Sequence, residues 1–167
     1  MVTFNVAYTA PINRPGQSPL TRKQVWVGLE RKIHHPSDFV PIIAACEVIS
    51  ETEEDGVPTI TRLVTFREGK GPSPDGGPVK EVCKHYPPVR ADFFQENGTK
   101  VANYISQGPS GEPEDLFLTF VFEWRHPTVE AGSEQEAKLD AQHKMTARNS
   151  VETTIETIRK LVSEGTI

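Results

Sequence analysis

The sequence predicts an α+β fold, in which a curved antiparallel sheet of about seven strands wraps around a long C-terminal helix. Residues 133–163 contain neither Pro nor Gly, and Gly165 follows them as a natural stop, so we expect one helix of about 30 residues, roughly 45 Å long. Apolar and polar residues alternate between residues 40 and 102, with the period of two that half-buried strands show. Because such a sheet buries one face, it needs a cover, and the long helix supplies it.

The N-terminal part is predicted to hold one strand followed by two short helices. Residues 1–11 alternate between apolar and polar side chains, which favours a strand. Thr21 lies three residues before Gln24, the spacing of a capping box, and this predicts an amphipathic helix that runs to about Lys32. A second short helical turn is expected at 37–39, before the alternating region begins.

Turn-forming residues divide the alternating region into strands. Asn97 and Gly98 are typical of a type I′ hairpin turn, and Pro87 with Pro88 marks a corner. A loop at 69–78 consists largely of Gly, Pro, Ser and Asp. The six strands predicted after the first are 40–52, 57–68, 78–86, 88–95, 100–108 and 116–124.

The composition indicates a single domain, residues 1–167, which is large enough to fold without a metal or a disulfide framework. A formal net charge of −5 counts against a nucleic-acid or anionic membrane partner, since both reward clustered Lys and Arg. No apolar run approaches the ~18 residues of a membrane span, and the N-terminus lacks a basic region before an apolar one. We therefore expect a cytoplasmic protein, either a monomer or a homodimer.

The strand period places aromatic residues on the inner side of the sheet. In the last strand Phe120, Phe122 and Trp124 share one face, whereas polar residues occupy much of the other. Trp26 lies on the apolar stripe of the first helix. These four side chains are expected in the interior between sheet and helices.

The same count places two polar residues, Arg62 and Asn103, on the inner face. An inward arginine can hold a carboxylate or an enolate by a forked hydrogen bond. It can equally extend to the rim of the sheet or form a structural ion pair with an acidic neighbour. An inward asparagine can orient a carbonyl group, or it can satisfy the backbone of a bulged strand.

The long helix changes character along one face. Extending the apolar stripe of its C-terminal half towards the N-terminus leads to Asp140, Lys144 and Arg148. Either a ligand-lined or water-filled volume lies beneath these charges, or the first turns overhang the sheet and the charges pair along the helix. Both interpretations stay open. The stripe itself consists of Val151, Ile155, Ile158 and Val162.

Histidine and tyrosine side chains offer a further possibility at the Pro87-Pro88 corner. His85 and Tyr86 could transfer protons inside a cavity. A corner held by hydrogen bonds, together with Arg90 and Asp92, is the favoured interpretation.

No metal or cofactor is expected. His34 and His35 are adjacent on a helix, so their side chains diverge, and no acidic or cysteine cluster joins them at ligand spacing. The sequence also lacks a phosphate loop, a dinucleotide-binding glycine motif and a GxSxG nucleophile elbow.

Four segments carry a resemblance to a known family: LTRKQVWVGLERKIHHPSDFVP, EVCKHYPPVRADF, the pair NYISQG and LFLTFVFEW, and TIETIRKLVSEG. They resemble the SRPBCC superfamily of helix-grip proteins, which includes START domains, class-10 plant allergens and aromatic polyketide cyclases. More closely, the chain is similar to the AtaL-like branch of fungal and bacterial proteins, over nearly its whole length. The resemblance implies a deep cavity between sheet and long helix that takes hydrophobic small molecules. The composition of the 69–78 loop favours a mobile loop, which we expect beside the mouth of that cavity.

Three functions follow from this resemblance. The first is binding of a hydrophobic or aromatic small molecule, in the context of secondary metabolism. The second is a cofactor-independent cyclase, dehydratase or isomerase of a polyketide-like metabolite, for which the catalytic candidates are Arg62, His85, Tyr86 and Asn103. The third is a protein-interaction module, as in helix-grip chaperone regulators. The predicted ligand-binding residues are Trp26, Arg62, Asn103, Phe120, Phe122, Trp124, Lys144 and Arg148.

Overall fold

The computed structural model describes residues 1–70 and 77–167. Seven strands in those residues form one antiparallel sheet, and a helix of 30 residues follows the last strand, so the predicted α+β architecture is confirmed. The elements in chain order are β1 (Val2–Pro11), α1 (Arg22–His34), a 3₁₀ turn (Pro36–Asp38), β2 (Ile43–Glu54), β3 (Val57–Phe66), β4 (Val79–Tyr86), β5 (Arg90–Gln95), β6 (Lys100–Gln107), β7 (Leu116–His126) and α2 (Glu134–Ser163).

Helix α1 begins where the capping box predicts. The Thr21 hydroxyl accepts a hydrogen bond from the Gln24 backbone N–H at 3.2 Å, and the Gln24 side chain accepts one from the Thr21 backbone N–H at 2.9 Å. The helix continues to His34 rather than ending at Lys32. The second predicted helix is a single 3₁₀ turn that starts at Pro36, whose fixed φ suits the first helical position.

The strand order is β1-β7-β6-β5-β4-β3-β2, so β2 to β7 form a meander and β1 joins its end beside β7. The register sets Arg62 of β3 opposite Glu81 of β4, and Asn103 of β6 opposite Phe120 of β7. Side chains of directly opposed residues lie on the same face of a sheet. The register therefore brings these polar groups together on the inner face.

Helix α2 packs against β1, β7 and α1. The two helices approach closely at Gly28, where an added Cβ would lie 2.5 Å from Ile158 Cγ1. Only glycine fits at this contact without displacing Ile158. The core cluster around it includes Val25, Leu29, Ile105, Leu118, Val151 and Ile155.

Most of the predicted 69–78 loop, residues 71–76, lies outside the described residues, so its expected place beside a cavity mouth stays a prediction. None of the described helices is both long enough and apolar enough to cross a lipid bilayer.

Candidate functional site

A cavity of about 500 Å³ lies between the inner face of the sheet, the end of α1 and the middle of α2. The segment that links α1 to β2 forms one side through Pro36 and Phe39 to Ile43. This volume falls within the range of pockets that bind small organic molecules. Its remaining lining residues are Lys32, Arg62, Phe66, Glu81, Phe93, Val101, Phe120, Phe122, Thr146, Asn149, Ser150, Thr153 and Thr154.

Phenylalanines form the apolar wall of the cavity. Phe93 of β5 and Phe120 and Phe122 of β7 are nearly or fully buried, and each lines the cavity. They meet because the strand period directs alternate side chains inward. The structure thus places Phe120 and Phe122 where the sequence predicts.

The two tryptophans lie elsewhere. Trp124 is half-buried and stacks between Phe122, with ring centroids 4.4 Å apart, and His143, at 4.1 Å. Trp26 is buried in the core and meets the His85 ring edge-on at 6.3 Å. Neither residue is among those that line the cavity. Trp124 supports the cavity wall through its stack on Phe122.

Arg62 and Glu81 form a buried ion pair at one side of the cavity. They are 4% and 7% exposed, and Arg62 Nε and Nη2 donate to Glu81 Oε2 at 2.9 and 2.6 Å. Arg62 Nη1 donates to the carbonyl oxygens of Lys32, at 3.0 Å, and Ile33. Of the five guanidinium N–H groups, four are thereby used, so the structural ion pair is the arrangement found.

The hydrogen bonds from Arg62 to the Lys32 and Ile33 carbonyl oxygens also fix the C-terminal end of α1. The last carbonyl groups of a helix lack intrahelical donors and carry the negative end of its dipole. A guanidinium that donates to the Lys32 and Ile33 carbonyl oxygens satisfies two of them. Gln95 Nε2 donates to Glu81 Oε1 at 2.7 Å and completes the network.

Lys32 is the cavity residue that the sequence analysis missed. Its Nζ lies 4.2 Å from the centroid of the Phe120 ring and donates to Asn103 Oδ1 at 3.3 Å. Within the described residues no carboxylate lies within ion-pair distance of this amine. A signal was present, because Lys32 is seven residues after Val25 and three after Leu29, on the buried face of α1.

The environment of Lys32 disfavours its charged form. Burial, followed by the positive charge of Arg62, lowers the pKa of Lys32 to about 7, against an opposing effect of Glu81. Near neutral pH the side chain is therefore present both as the ammonium ion and as the free amine. Either form can meet a carbonyl or an anionic group of a ligand.

Asn103 lies behind this wall rather than on the cavity surface. It is fully buried, and its Oδ1 accepts the bond from Lys32. Its Nδ2 has no hydrogen-bond partner among the described residues. Asn103 therefore orients the Lys32 amine, and its predicted role towards a ligand carbonyl stays a prediction.

His85 and Tyr86 point to opposite faces of the sheet. His85 is buried, and burial lowers its pKa; its Nε2 has no hydrogen-bond partner in the part of the chain that the structure describes. Tyr86 lies outside, with the guanidinium carbon of Arg90 3.9 Å above its ring, and Arg90 Nε lies 3.3 Å from Asp92 Oδ1. The alternative in which both residues transfer protons in one cavity does not fit this arrangement, because neighbouring strand residues alternate between faces.

For the charges on α2 the structure favours the second interpretation, in which they reach solvent and pair along the helix, so the predicted ligand-binding position of Lys144 and Arg148 is wrong. Both side chains are exposed, and Lys144 Nζ pairs with Asp140 Oδ2 one turn away at 2.6 Å. From Val151 the buried stripe continues in steps of four, through Ala147 to His143. The prediction went from Val151 back by three residues to Arg148, whereas the structure goes back by four to Ala147. A step of four residues turns about 40° past a full turn and a step of three falls about 60° short, so the predicted residues lie off the buried face.

Uncharged polar side chains take the place of those charges. They follow one another at helical spacing along the cavity side of α2. They offer a ligand donors and acceptors opposite the phenylalanine wall. The residues are Thr146, Asn149, Ser150, Thr153 and Thr154.

Cys83 and the pair His126 and His143 are not among the residues that line the cavity. Cys83 is fully buried, and burial raises the pKa of its thiol to about 12. His126, the last residue of β7, and His143 of α2 share a 2.8 Å contact between their Nε2 atoms. No group of three or more His, Cys, Asp or Glu side chains able to hold a metal ion occurs within the described residues.

Comparison with known proteins supplies the family. The model of the family described as "AtaL: Acetylaranotin biosynthesis cluster protein L" matches residues 6–165. The chain is 29% identical over 164 residues to the acetylaranotin biosynthesis cluster protein L of Aspergillus terreus, which covers 98% of this chain and 92% of the relative.

Two solved structures share the fold. The Zhui aromatase/cyclase from Streptomyces sp. R1128 aligns with a TM-score of 0.63 and 12% identity, over 96% of each chain. The AHSA1-like protein from Aeromonas hydrophila aligns with a TM-score of 0.53 and 11% identity, over 97% of this chain and 94% of the other. At these identities the likeness concerns the fold alone.

Proposed function

The chain belongs to the AtaL family, and from this premise we propose that it binds a hydrophobic, aromatic small molecule of secondary metabolism in the cavity beneath α2. The observation that carries the proposal is a cavity of about 500 Å³ with phenylalanines on one wall and a single amine, Lys32, at its end. The relative from Aspergillus terreus is named for a biosynthesis cluster, which supports the metabolic context.

The wall chemistry indicates what the ligand looks like. Burying roughly 200 Å² of aromatic ligand surface against Phe93, Phe120 and Phe122 is worth about 5 kcal/mol before the costs of association. The Lys32 amine then favours an anionic or carbonyl oxygen at one end of the ligand. The hydroxyl and amide groups of α2 favour further oxygen atoms along one edge of the ligand.

Thermal denaturation with naphthalene-2-carboxylate tests the proposal. Ser150→Phe places a ring in the cavity, and Glu156→Phe adds the same ring on the exposed side of the same helix. The carboxylate is expected to raise the melting temperature of the wild type and of Glu156→Phe, and to leave Ser150→Phe unchanged. An equal shift in all three proteins, or no shift in any, contradicts binding in this cavity.

A second candidate, the cofactor-independent cyclase, dehydratase or isomerase, has one specific observation in its favour. An amine whose pKa lies at about 7 can accept and return a proton at neutral pH, as general acid–base catalysis requires. In D₂O the wild type is then expected to exchange the α-hydrogens of 1-phenylbutane-1,3-dione faster than Lys32→Met does. Equal exchange rates remove Lys32 as a proton-transfer group and leave binding as the function.

The third candidate, a protein-interaction module, draws less support. An interaction surface is expected to expose a contiguous apolar patch, whereas the phenylalanines Phe93, Phe120 and Phe122 are buried around the cavity. The AHSA1-like structure resembles it in fold alone.

A further inference from the structure

Lys32 combines three features that surface lysines lack. Its amine reaches into the cavity, above the Phe120 ring and 5.8 Å from the centroid of the Phe93 ring. The backbone that carries it is fixed, because Arg62 donates to the carbonyl oxygens of Lys32 and Ile33. Asn103 Oδ1 accepts one of its N–H bonds, which orients the nitrogen.

We propose that Lys32 forms a reversible imine with an aldehyde or ketone carbonyl of the molecule that occupies the cavity. This inference rests on the proposed function, since it requires a ligand whose carbonyl carbon reaches the Lys32 Nζ. It restricts the proposed ligands to aldehydes and ketones. It also means that the protein can form a covalent bond to its ligand without a cofactor.

The step balances with the groups present. The lone pair of the neutral Nζ attacks the carbonyl carbon and forms a carbinolamine, while the carbonyl π electrons move to oxygen. That oxygen then leaves as water with the two hydrogens that the amine contributed, and a C=N bond replaces the C=O bond. Addition of water reverses the reaction and releases the ligand unchanged.

Nucleophilic attack needs the unprotonated amine, and the surroundings favour it. Burial and the neighbouring Arg62 lower the pKa of Lys32 to about 7, and the opposing Glu81 is already paired with Arg62. An ordinary lysine, with a pKa near 10.4, is unprotonated at pH 7 in only about one molecule in 2,500. Lys32 is therefore expected to react far faster than a solvated lysine at the same pH.

Several other lysines are placed differently. They form ion pairs with carboxylates at the surface and do not line the cavity. The residues are Lys80, Lys84, Lys100, Lys138, Lys144 and Lys160.

Reductive trapping tests the proposal. The full chain is incubated at pH 7 with 2-naphthaldehyde and sodium cyanoborohydride, then cleaved after glutamate. The peptide from Arg31 to Glu47 contains Lys32 as its single lysine, so its adduct is unambiguous. We expect this peptide to gain the mass of the aldehyde less one oxygen atom, at least tenfold faster than lysine peptides of the surface.

Matched variants separate imine formation from ligand binding. Lys32→Met is expected to lose the adduct, and Lys144→Met, which removes an exposed lysine, is expected to keep it. Equilibrium dialysis of 2-naphthaldehyde without reductant measures binding independently of trapping. Circular dichroism establishes that each variant is folded. The peptide map of the wild type locates the adduct by itself, so the test does not depend on a variant that folds.

Each outcome decides something. An adduct concentrated on Lys32 supports the proposal. Binding of 2-naphthaldehyde in the cavity with no excess adduct on Lys32 overturns the imine and leaves the proposed function intact. Absence of both binding and adduct contradicts both.

Discussion

The buried ion pair of Arg62 and Glu81 gives the sharpest prediction about stability. Arg62→Met removes a guanidinium that is 4% exposed, and with it four hydrogen bonds, two to Glu81 and two to the end of α1. The carboxylate of Glu81 then stays buried with Gln95 as its remaining donor. Breaking a buried pair in this way costs about 3–5 kcal/mol.

Urea denaturation of a double-mutant cycle measures this loss. Arg62→Met is expected to lower the free energy of unfolding by about 3–5 kcal/mol, whereas the pair Arg62→Met with Glu81→Leu is expected to recover part of it, because no unpaired charge remains. Arg125→Met is the matched control. Its partner Glu123 lies at 2.8 Å with both side chains partly exposed, so the loss should stay below about 1 kcal/mol.

The result that refutes this reasoning is a loss in Arg62→Met no larger than that in Arg125→Met. Arg62 would then not hold α1 to the sheet, and its guanidinium would be free to serve a ligand. A double variant less stable than Arg62→Met alone would likewise show that the unpaired carboxylate is not the source of the loss.

Three other features give predictions of the same kind. Gly28→Ala brings a Cβ to 2.5 Å from Ile158 Cγ1 and should lower the free energy of unfolding, measured by urea denaturation, by about 1–3 kcal/mol. Adding Ile158→Val should recover part of this loss. An unchanged denaturation midpoint in Gly28→Ala would show that the two helices can separate without cost. Burial and His126 lower the pKa of His143 to about 4. As the pH falls below about 6.5, this histidine is therefore protonated in the unfolded chain but not in the folded one. The free energy of unfolding should drop by about 2–3 kcal/mol between pH 6.5 and 4 for this reason. In His143→Phe that part of the pH dependence should disappear, and an unchanged slope would assign it to other groups. Lys32→Met should weaken binding of naphthalene-2-carboxylate in calorimetry by at least tenfold and leave binding of uncharged naphthalene unchanged; equal losses for both ligands would mean that the substitution disturbs the aromatic wall.

The sequence predicts the architecture well because its patterns are local. Strand alternation, the capping box at Thr21 and the long segment without Pro or Gly each specify an element from neighbouring residues. Face counting within one strand also places Arg62, Phe120 and Phe122 correctly on the inner side. These inferences need no knowledge of how distant segments pair.

The features that the sequence does not predict depend on how the strands pair and on which face of each helix is turned inward. That Glu81 occupies the guanidinium of Arg62 follows from the register of β3 against β4, and no short turn fixes that register. The predicted inner face of α2 was wrong by one residue, because it continued from Val151 to Arg148 instead of to Ala147. Lys32 was passed over because a lysine near a helix end ordinarily reaches solvent, and its burial depends on β5 and β7 lying beside it.

The central claim, that the cavity takes an aromatic ligand with its polar end at Lys32, is tested most directly by a crystal structure with 6-bromonaphthalene-2-carboxylate. The bromine gives an anomalous signal that fixes the ligand orientation. We expect one peak inside the cavity, the ring against Phe120 and Phe122, and the carboxylate within hydrogen-bond distance of Lys32 Nζ. A ligand bound only at the surface, or a cavity filled by its own side chains, would contradict the account.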